Sequence, residues 1–509
     1  MANRVGVRVT RATAGPLSVG PDPGDSVLLA VVAARGPENV PQLITSMARY
    51  EAVFGGPTPF ADGARFSTGY EVAKVLFQKG VRRIWVVRIV GASATTSQVD
   101  LQDRAGTPLD TLRVKAKGAG AWADGYKIVI ADGTRTNTFR LTCTDASDNV
   151  LESWDNLTMA ATELARVRGD YIEVENVGSS TVAPENRPAV GTITIDVATD
   201  GGVDDNAPAA SVIVGSETLG VKTGLKSFRS RAYGRGFLLA PDLDTDTTVA
   251  TEMKAQGEAF FRLPLSSSQP GAAVADAVTQ RGSDWQEFHT GFYFPRARVE
   301  DTTSGEIKTI PITGHVVGDW LQAIEREGPG KAPAGAEFRV DGVLGLEVQA
   351  NGQPLVDEGV AEYLLSEGIN PAWDRNRQGV RIWGARTGQN SGAWVYLHGS
   401  YLWMLIADTF FRALDAYVYA NLDDGQTFTA IEAGLFSFLA DLHVEGAFRG
   451  ELPTPGQAVD PEVHAFDVRC DEELLSASDE ASGILRVAAW FREARTGETI
   501  EVELAKRTG

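Results

Sequence analysis

The chain has 509 residues, of which 43% are hydrophobic and 22% charged, and its formal net charge is −20. This is ordinary globular composition, which excludes a disordered or fibrous chain, and the length divides into about three or four domains. The acidic balance excludes a nucleic-acid backbone as a direct partner, because such partners select a basic field.

In chain order, "NRVGVRVTRA" alternates Val5, Val7 and Val9 with Arg4, Gly6, Arg8 and Thr10, a period of two that predicts a half-buried strand. "AGPLSVGPDPGD" follows, and its density of glycine and proline predicts a linker or extended arm. The apolar run Val27 to Ala34 predicts a buried strand, being far shorter than the roughly 20 residues that span a bilayer. "FSTGYEVAKVLFQKG" predicts a helix with Tyr70, Ala73 and Phe77 on one face and Gly80 at its C-terminal cap, and "RRIWVVRIV" a further strand. Strand, helix and strand make a small α/β layer.

From about 101 to 220 the pattern becomes short alternating runs separated by turn residues, a β-rich insertion. Strand and helix signals return near 226. "RGFLLAPD", "FFRLPLSS" and "EFHTGFYFP" predict strands, with helices in "TTVATEMKAQGEAF" and in "PGAAVADAVTQRG", where Pro270 stands near the start. Residues 329–360 are punctuated by glycine and proline. A last α/β region runs from "QGVRIWGART" through a long apolar stretch to "GILRVAAWFRE". The chain ends on "ETIEVELAKRTG", where Ile500, Val502 and Leu504 alternate with Glu501, Glu503 and Ala505, a second lone terminal strand. Each such strand exposes unpaired backbone donors and acceptors. The N-terminal one carries Arg4, Arg8 and Arg11 and the C-terminal one Glu498, Glu501 and Glu503, so a mixed sheet is favoured over self-pairing.

Catalytic signatures are sparse. Asp242, Asp244 and Asp246 follow one strand and Ser266, Ser267 and Ser268 another, and an acidic triplet beyond a doubly wound sheet is a candidate divalent-cation site. The favoured reading is that Asp244 or Asp246 caps the next helix and the serines form a turn. His289, His315, His398, His443 and His464 have no metal-ligand spacing, and His289 reads as a structural histidine. Cys143 and Cys470 form neither a disulfide framework nor a C-x-x-C pair, so synthesis in the cytoplasm is expected. "MANRVGVRVT" lacks the apolar core of a signal peptide. The aromatic stretch from Trp394 to Tyr419 reads as a buried helix with Asp408, Arg412 and Asp415 on its polar side.

Taken in order, several stretches resemble contractile tail sheath proteins, the contractile sleeve of myophage tails, R-type pyocins and related injection systems. These are "VVAARGPENVPQLITSMARYEAVFGG", "VKAKGAGAWADGYKIVI", "GHVVGDWLQAIEREGPGKAPAG", "GVRIWGART" and "FDVRCDEE". Two departures stand out: Val5-Gly6-Val7-Arg8 replaces the usual Pro-Gly-Val-Tyr, and the helix after the Gly-Ala-Arg-Thr element is less basic than the family's.

The resemblance implies a multidomain α/β (mixed α+β) protein. Residues 1–25 would be an arm and linker, 26–100 the first part of an α/β core, and 101–220 a β-rich outer insertion. Residues 221–375 would be a central α/β domain, 376–494 a C-terminal α/β domain, and 495–509 a second arm. It implies a helical homo-oligomer in a virion tail or tail-like particle, made in a bacterial cytoplasm. An inner tail tube protein, a baseplate and a tail terminator would be its partners. No enzyme activity, cofactor, metal, direct nucleic-acid contact or membrane insertion is implied. The assembly residues would be Arg4, Val5, Val7, Arg8 and Val9 in one arm and Ile500, Glu501, Val502, Glu503 and Leu504 in the other, each adding a strand to a neighbour. The alternatives are an α/β enzyme with an acidic site at Asp242–Asp246, and a β-rich receptor-binding or capsid protein.

Overall fold

The computed structural model describes residues 24–58, 67–300, 305–375, 378–420, 426–455 and 457–495. At its centre is an eight-stranded sheet. Its strands are β1 (Ser26–Val31), β2 (Gln42–Ile44), β3 (Ile84–Arg88), β4 (Gly236–Leu239), β5 (Arg262–Ser267), β6 (Gly291–Phe294), β7 (Ile369–Trp373) and β8 (Arg381–Ile382). Their order is β2-β3-β1-β4-β5-β6-β7-β8. The six inner strands are parallel and the two edge strands antiparallel.

The sheet's layering follows from residue alternation. Along β1, Val27, Leu29 and Val31 enter one core, and Leu28 and Ala30 the core on the opposite face. Both faces are covered, so every residue of β1 is buried and the strand reads as a continuous apolar run. On the first face lie α1 (Met47–Phe54) and α2 (Gly69–Gln78). On the second lie α3 (Thr247–Phe260) and α4 (Val274–Arg281). The first face also holds α5 (Thr313–Glu327), while α6 (Glu358–Ser366) belongs to the second. Two long helices, α7 (Leu397–Leu414) and α8 (Gln426–Val444), complete the first face.

The helix ends obey local chemistry. Asp246 accepts from Thr248 N at 2.8 Å and caps α3. Gly80 takes φ +83 just beyond α2, with Val81 N bonded to Leu76 O at 3.0 Å. Pro270 stands four residues ahead of Val274, in the turn before α4. The apolar stretch after Trp394 is the buried helix α7, but Asp408 is 8% exposed and faces inward, where only a charged partner makes such burial tolerable.

Residues 98–194 build two antiparallel sheets around a separate core. One sheet has the order Gln98–Gln102, Asp110–Ala116, Ile172–Asn176. The other has the order Gly191–Thr194, Lys127–Asp132, Phe139–Thr144, Val150–Leu157. Alternate residues of both sheets, among them Val99, Leu112, Ile128, Leu141 and Cys143, meet between them. Arg88, at the end of β3, ties this unit to the central sheet. Its guanidinium donates to Ala33 O at 2.9 Å, Gly36 O at 3.0 Å and Ala119 O at 2.7 Å, and burial lowers its pKa to about 10. A Cβ on Gly118 would stand 2.1 Å from Gly36 O, so the two segments meet backbone to backbone.

Candidate assembly site

Arg4, Val5, Val7, Arg8 and Val9, and Ile500, Glu501, Val502, Glu503 and Leu504, lie outside the described residues, as do Arg11 and Glu498. The described residues do define where both terminal segments join the body, and the two junctions converge on one helix.

The N-terminal junction is at Asp25, immediately before β1. Tyr401 of α7 donates its hydroxyl to Asp25 Oδ2 at 2.7 Å, and Arg235 Nε lies 3.0 Å from Asp25 Oδ1. Arg235, directly ahead of β4, also approaches Asp408 Oδ2 at 3.6 Å, and Arg412 Nε donates to the same oxygen at 2.9 Å. Asp25, Arg235 and Asp408 are nearly buried, so the charges are compensated by one another rather than by water. Ser26 N donates to Arg235 O at 2.9 Å, joining the starts of β1 and β4.

The C-terminal junction lies at residues 492–495. His398, one turn before Tyr401 and fully buried, donates from Nε2 to Ala494 O at 3.2 Å. Ala494 N donates to Ala447 O at 3.0 Å, and Arg492 N to Ala465 O at 2.8 Å. Glu493 Oε2 stands 3.8 Å from His398 Nε2. Burial pushes the Glu493 carboxyl up to about 7 and lowers the His398 imidazole, so near neutrality the histidine is neutral. Gly399 makes room for this contact, since a Cβ there would come within 1.9 Å of Glu493 Oε2.

Just ahead of this junction, Phe466–Arg469 and Ala488–Phe491 form a two-stranded antiparallel sheet. It packs on α8 through Phe466 and Phe436, whose rings are 5.2 Å apart, and Cys470 N donates to Glu432 Oε2 at 3.1 Å. Among the described residues no third strand runs along this pair, and residues 447–451 bridge only its end, through Phe448–Glu493 and Glu451–His464. A two-stranded ribbon is marginal without further pairing or packing, and Ala488 and Ala489 are exposed.

The rival acidic site is organised differently. Asp242 accepts from Thr68 N and Oγ1 at 2.7 and 2.6 Å and from Arg296 Nη1 at 2.8 Å. Asp244 is buried beside Ser266, and desolvation pushes its carboxyl up to about 7. Asp246 is the α3 cap. Ser266 and Ser267 form the end of β5 rather than a turn, and Ser268 is buried directly after it. The triplet is thus split between an internal ion pair, a buried acid and a cap. Among the described residues no group of three or more His, Cys, Asp or Glu is placed to hold a metal ion.

His289 is buried, with Nε2 3.0 Å from Lys254 O. Cys143 and Cys470 are buried thiols pushed up to about 12 and about 11 by desolvation. No described helix is long and apolar enough to cross a membrane.

No family model and no curated protein matches the sequence. Solved structures do match over the whole chain. A sheath tail protein of Listeria innocua aligns at TM-score 0.59 and 13% identity, covering 93% of this chain and 96% of that one. The sheath of the extracellular contractile injection system PVC, in its contracted state, aligns at 0.56 and 14%, covering 100% and 98%. The contracted helical sheath of the anti-feeding prophage aligns at 0.55 and 14%, covering 99% of each chain. This chain has the contractile tail sheath fold. The sheath likeness takes in the β-rich unit of residues 98–194, the central sheet and the C-terminal helices together, because the alignments span nearly the full length of both partners.

Sequence reading placed Tyr401 and His398 among core aromatics and scattered histidines and did not single out Asp25, Arg235 or Glu493. The available signal was two polar groups one turn apart at the start of an otherwise apolar helix, His398 and Tyr401 in "LHGSY".

Proposed function

We propose that the chain is the structural subunit of a contractile tail sheath. It polymerises around an inner tube protein, bounded by a baseplate and a tail terminator, and contracts by rigid-body rearrangement that drives the tube through a target envelope. The observation that carries the reading is the end-to-end likeness to sheath subunits, two of them from contracted particles. In this reading the particle is a virion tail or a tail-like injection device, the subunit is made in a bacterial cytoplasm, and no catalysis is required of it.

Residues 1–25 and 495–509 act as arms that add strands to the open ribbon of neighbouring copies, Arg4 and Arg8 facing acidic residues such as Glu501 and Glu503. Residues 101–220 project outward as an insertion on a core assembled from 26–100, 221–375 and 376–494. Each backbone hydrogen bond gained is worth about 0.5–1.5 kcal/mol net. A few per arm, less the ordering of flexible chain, make a modest joint that becomes large when repeated along a cylinder.

Negative-stain microscopy of the purified protein tests the proposal. Regular tubes are expected. Discrete particles that turn over a substrate would overturn it in favour of an enzyme.

A further inference from the structure

Helices α5, α7 and α8 enclose an open groove of about 800 Å³ next to the N-terminal junction. Its floor is apolar, formed by Tyr401, Leu405 and Leu442 with Ile324 and Phe438 at the sides. Its rim is acidic. Glu325, Asp441 and Glu445 are exposed and have no ion-pair partner among the described residues, whereas Glu327 is already held by Arg326 and Lys331.

Three relations identify an occupant. First, Tyr401 floors the groove and also holds Asp25 at 2.7 Å, so the described chain begins beside a residue of the groove floor. The 14 residue steps from Arg11 to Asp25 span at most about 50 Å, and α7, at 18 residues, is about 27 Å long, so the whole groove is within reach. Second, Arg4 and Arg8, opposite the valines in the alternation, and Arg11 beyond them are three cations for three rim carboxylates that have no ion pair among the described residues. Third, Val5, Val7 and Val9 supply an apolar face for the floor.

We infer that, before assembly, residues 4–11 rest in this groove of their own subunit, and that strand addition to a neighbour draws them out. The inference rests on reading residues 1–23 as an assembly arm. The groove is walled by helices and offers an extended segment no backbone ladder, so the resting contact is weaker than strand pairing and yields to it. It keeps the arm from pairing prematurely, and because its charged part is exposed, added salt weakens it.

Thiol labelling of the full chain tests this. Ser437 is exposed and lines the groove, while Cys143 and Cys470 are buried and react slowly. In a Ser437→Cys chain kept dilute, labelling is expected to speed up several-fold when residues 1–23 are deleted. The charge reversal R4E/R8E/R11E in the full chain should have the same effect, and it carries the test should the deletion fail to fold. A synthetic peptide of residues 1–14 should slow labelling of the deleted chain again.

Equal rates in all forms would overturn the inference, as would protection that grows with protein concentration, which assigns the groove to a second copy. If the deleted chain cannot build cylinders yet labels at the intact rate, only the resting position is lost. If it builds normal cylinders, the arm reading itself falls.

Discussion

Tyr401 reaches from the start of the second turn of α7 to the carboxylate of Asp25 over 2.7 Å, and His398, three residues earlier on the same helix, reaches Ala494 O over 3.2 Å. Residues three apart lie on one face of a helix. Asp25 and Ala494, each one residue inside an end of the described chain, are therefore held by the same helix.

Removing the Tyr401 hydroxyl isolates this link. Tyr401→Phe keeps the ring packed between Phe237 and Trp320, whose centroids lie 6.4 and 5.5 Å away, and deletes one hydrogen bond to a buried carboxylate. Chemical denaturation should show a loss of about 1.5–3 kcal/mol, with Asp25 still paired to Arg235. Cylinders that do form should break under lower shear than those of the parent. An unchanged denaturation midpoint would show that Tyr401 does not hold the junction.

Stability should also fall as pH rises through neutrality. Desolvation raises the Asp244 carboxyl to about 7, against a partial offset from Ser266 and Arg296, with Asp242 adding to the rise. The folded-state value lies above the unfolded value of about 4. The folded state therefore prefers the protonated acid, and that stability is complete below about pH 4 and lost as pH climbs through about 7. The loss is on the order of a few kcal/mol, at about 1.4 kcal/mol per tenfold change in proton affinity. Asp244→Asn should flatten the slope between about pH 4 and 8, read from denaturation midpoints at each pH. An unchanged slope would assign the dependence elsewhere.

Much of the fold was legible from local pattern. The alternation in "KIVIAD" and "FRLTCT", the apolar run at β1 and the 3.6-residue period of "TTVATEMKAQGEAF" each produced the expected element. These signals are local, so sequence carries them. The "QGVRIWGART" segment, expected only to open a last α/β region, contributes the two-residue β8, and Arg386 N beyond it donates to Asn370 Oδ1 at 2.6 Å.

The junction cluster was not legible. Asp25, Arg235, Tyr401 and Asp408 are brought together across 376 or more residues for the most distant pair, and polar groups at such separations leave no periodic trace. Asp408 illustrates the consequence. Helical spacing put it on the polar side, yet Arg235, arriving from β4, draws it inward.

The terminal segments themselves are open to direct removal. Deleting residues 496–509 should leave a folded, soluble chain with an unchanged far-UV circular dichroism spectrum that cannot build cylinders. Val7→Pro should weaken assembly as well, since proline deletes a ladder donor. Normal tubes from the truncated chain, seen in negative stain, would remove the arms from the account.

An electron cryo-microscopy reconstruction of the assembled particle tests the central claim most directly. The account predicts that residues 1–23 and 496–509 cross to adjacent copies and extend the Phe466–Arg469 and Ala488–Phe491 ribbon there. A map in which both segments fold onto their own subunit and touch no other copy would contradict it.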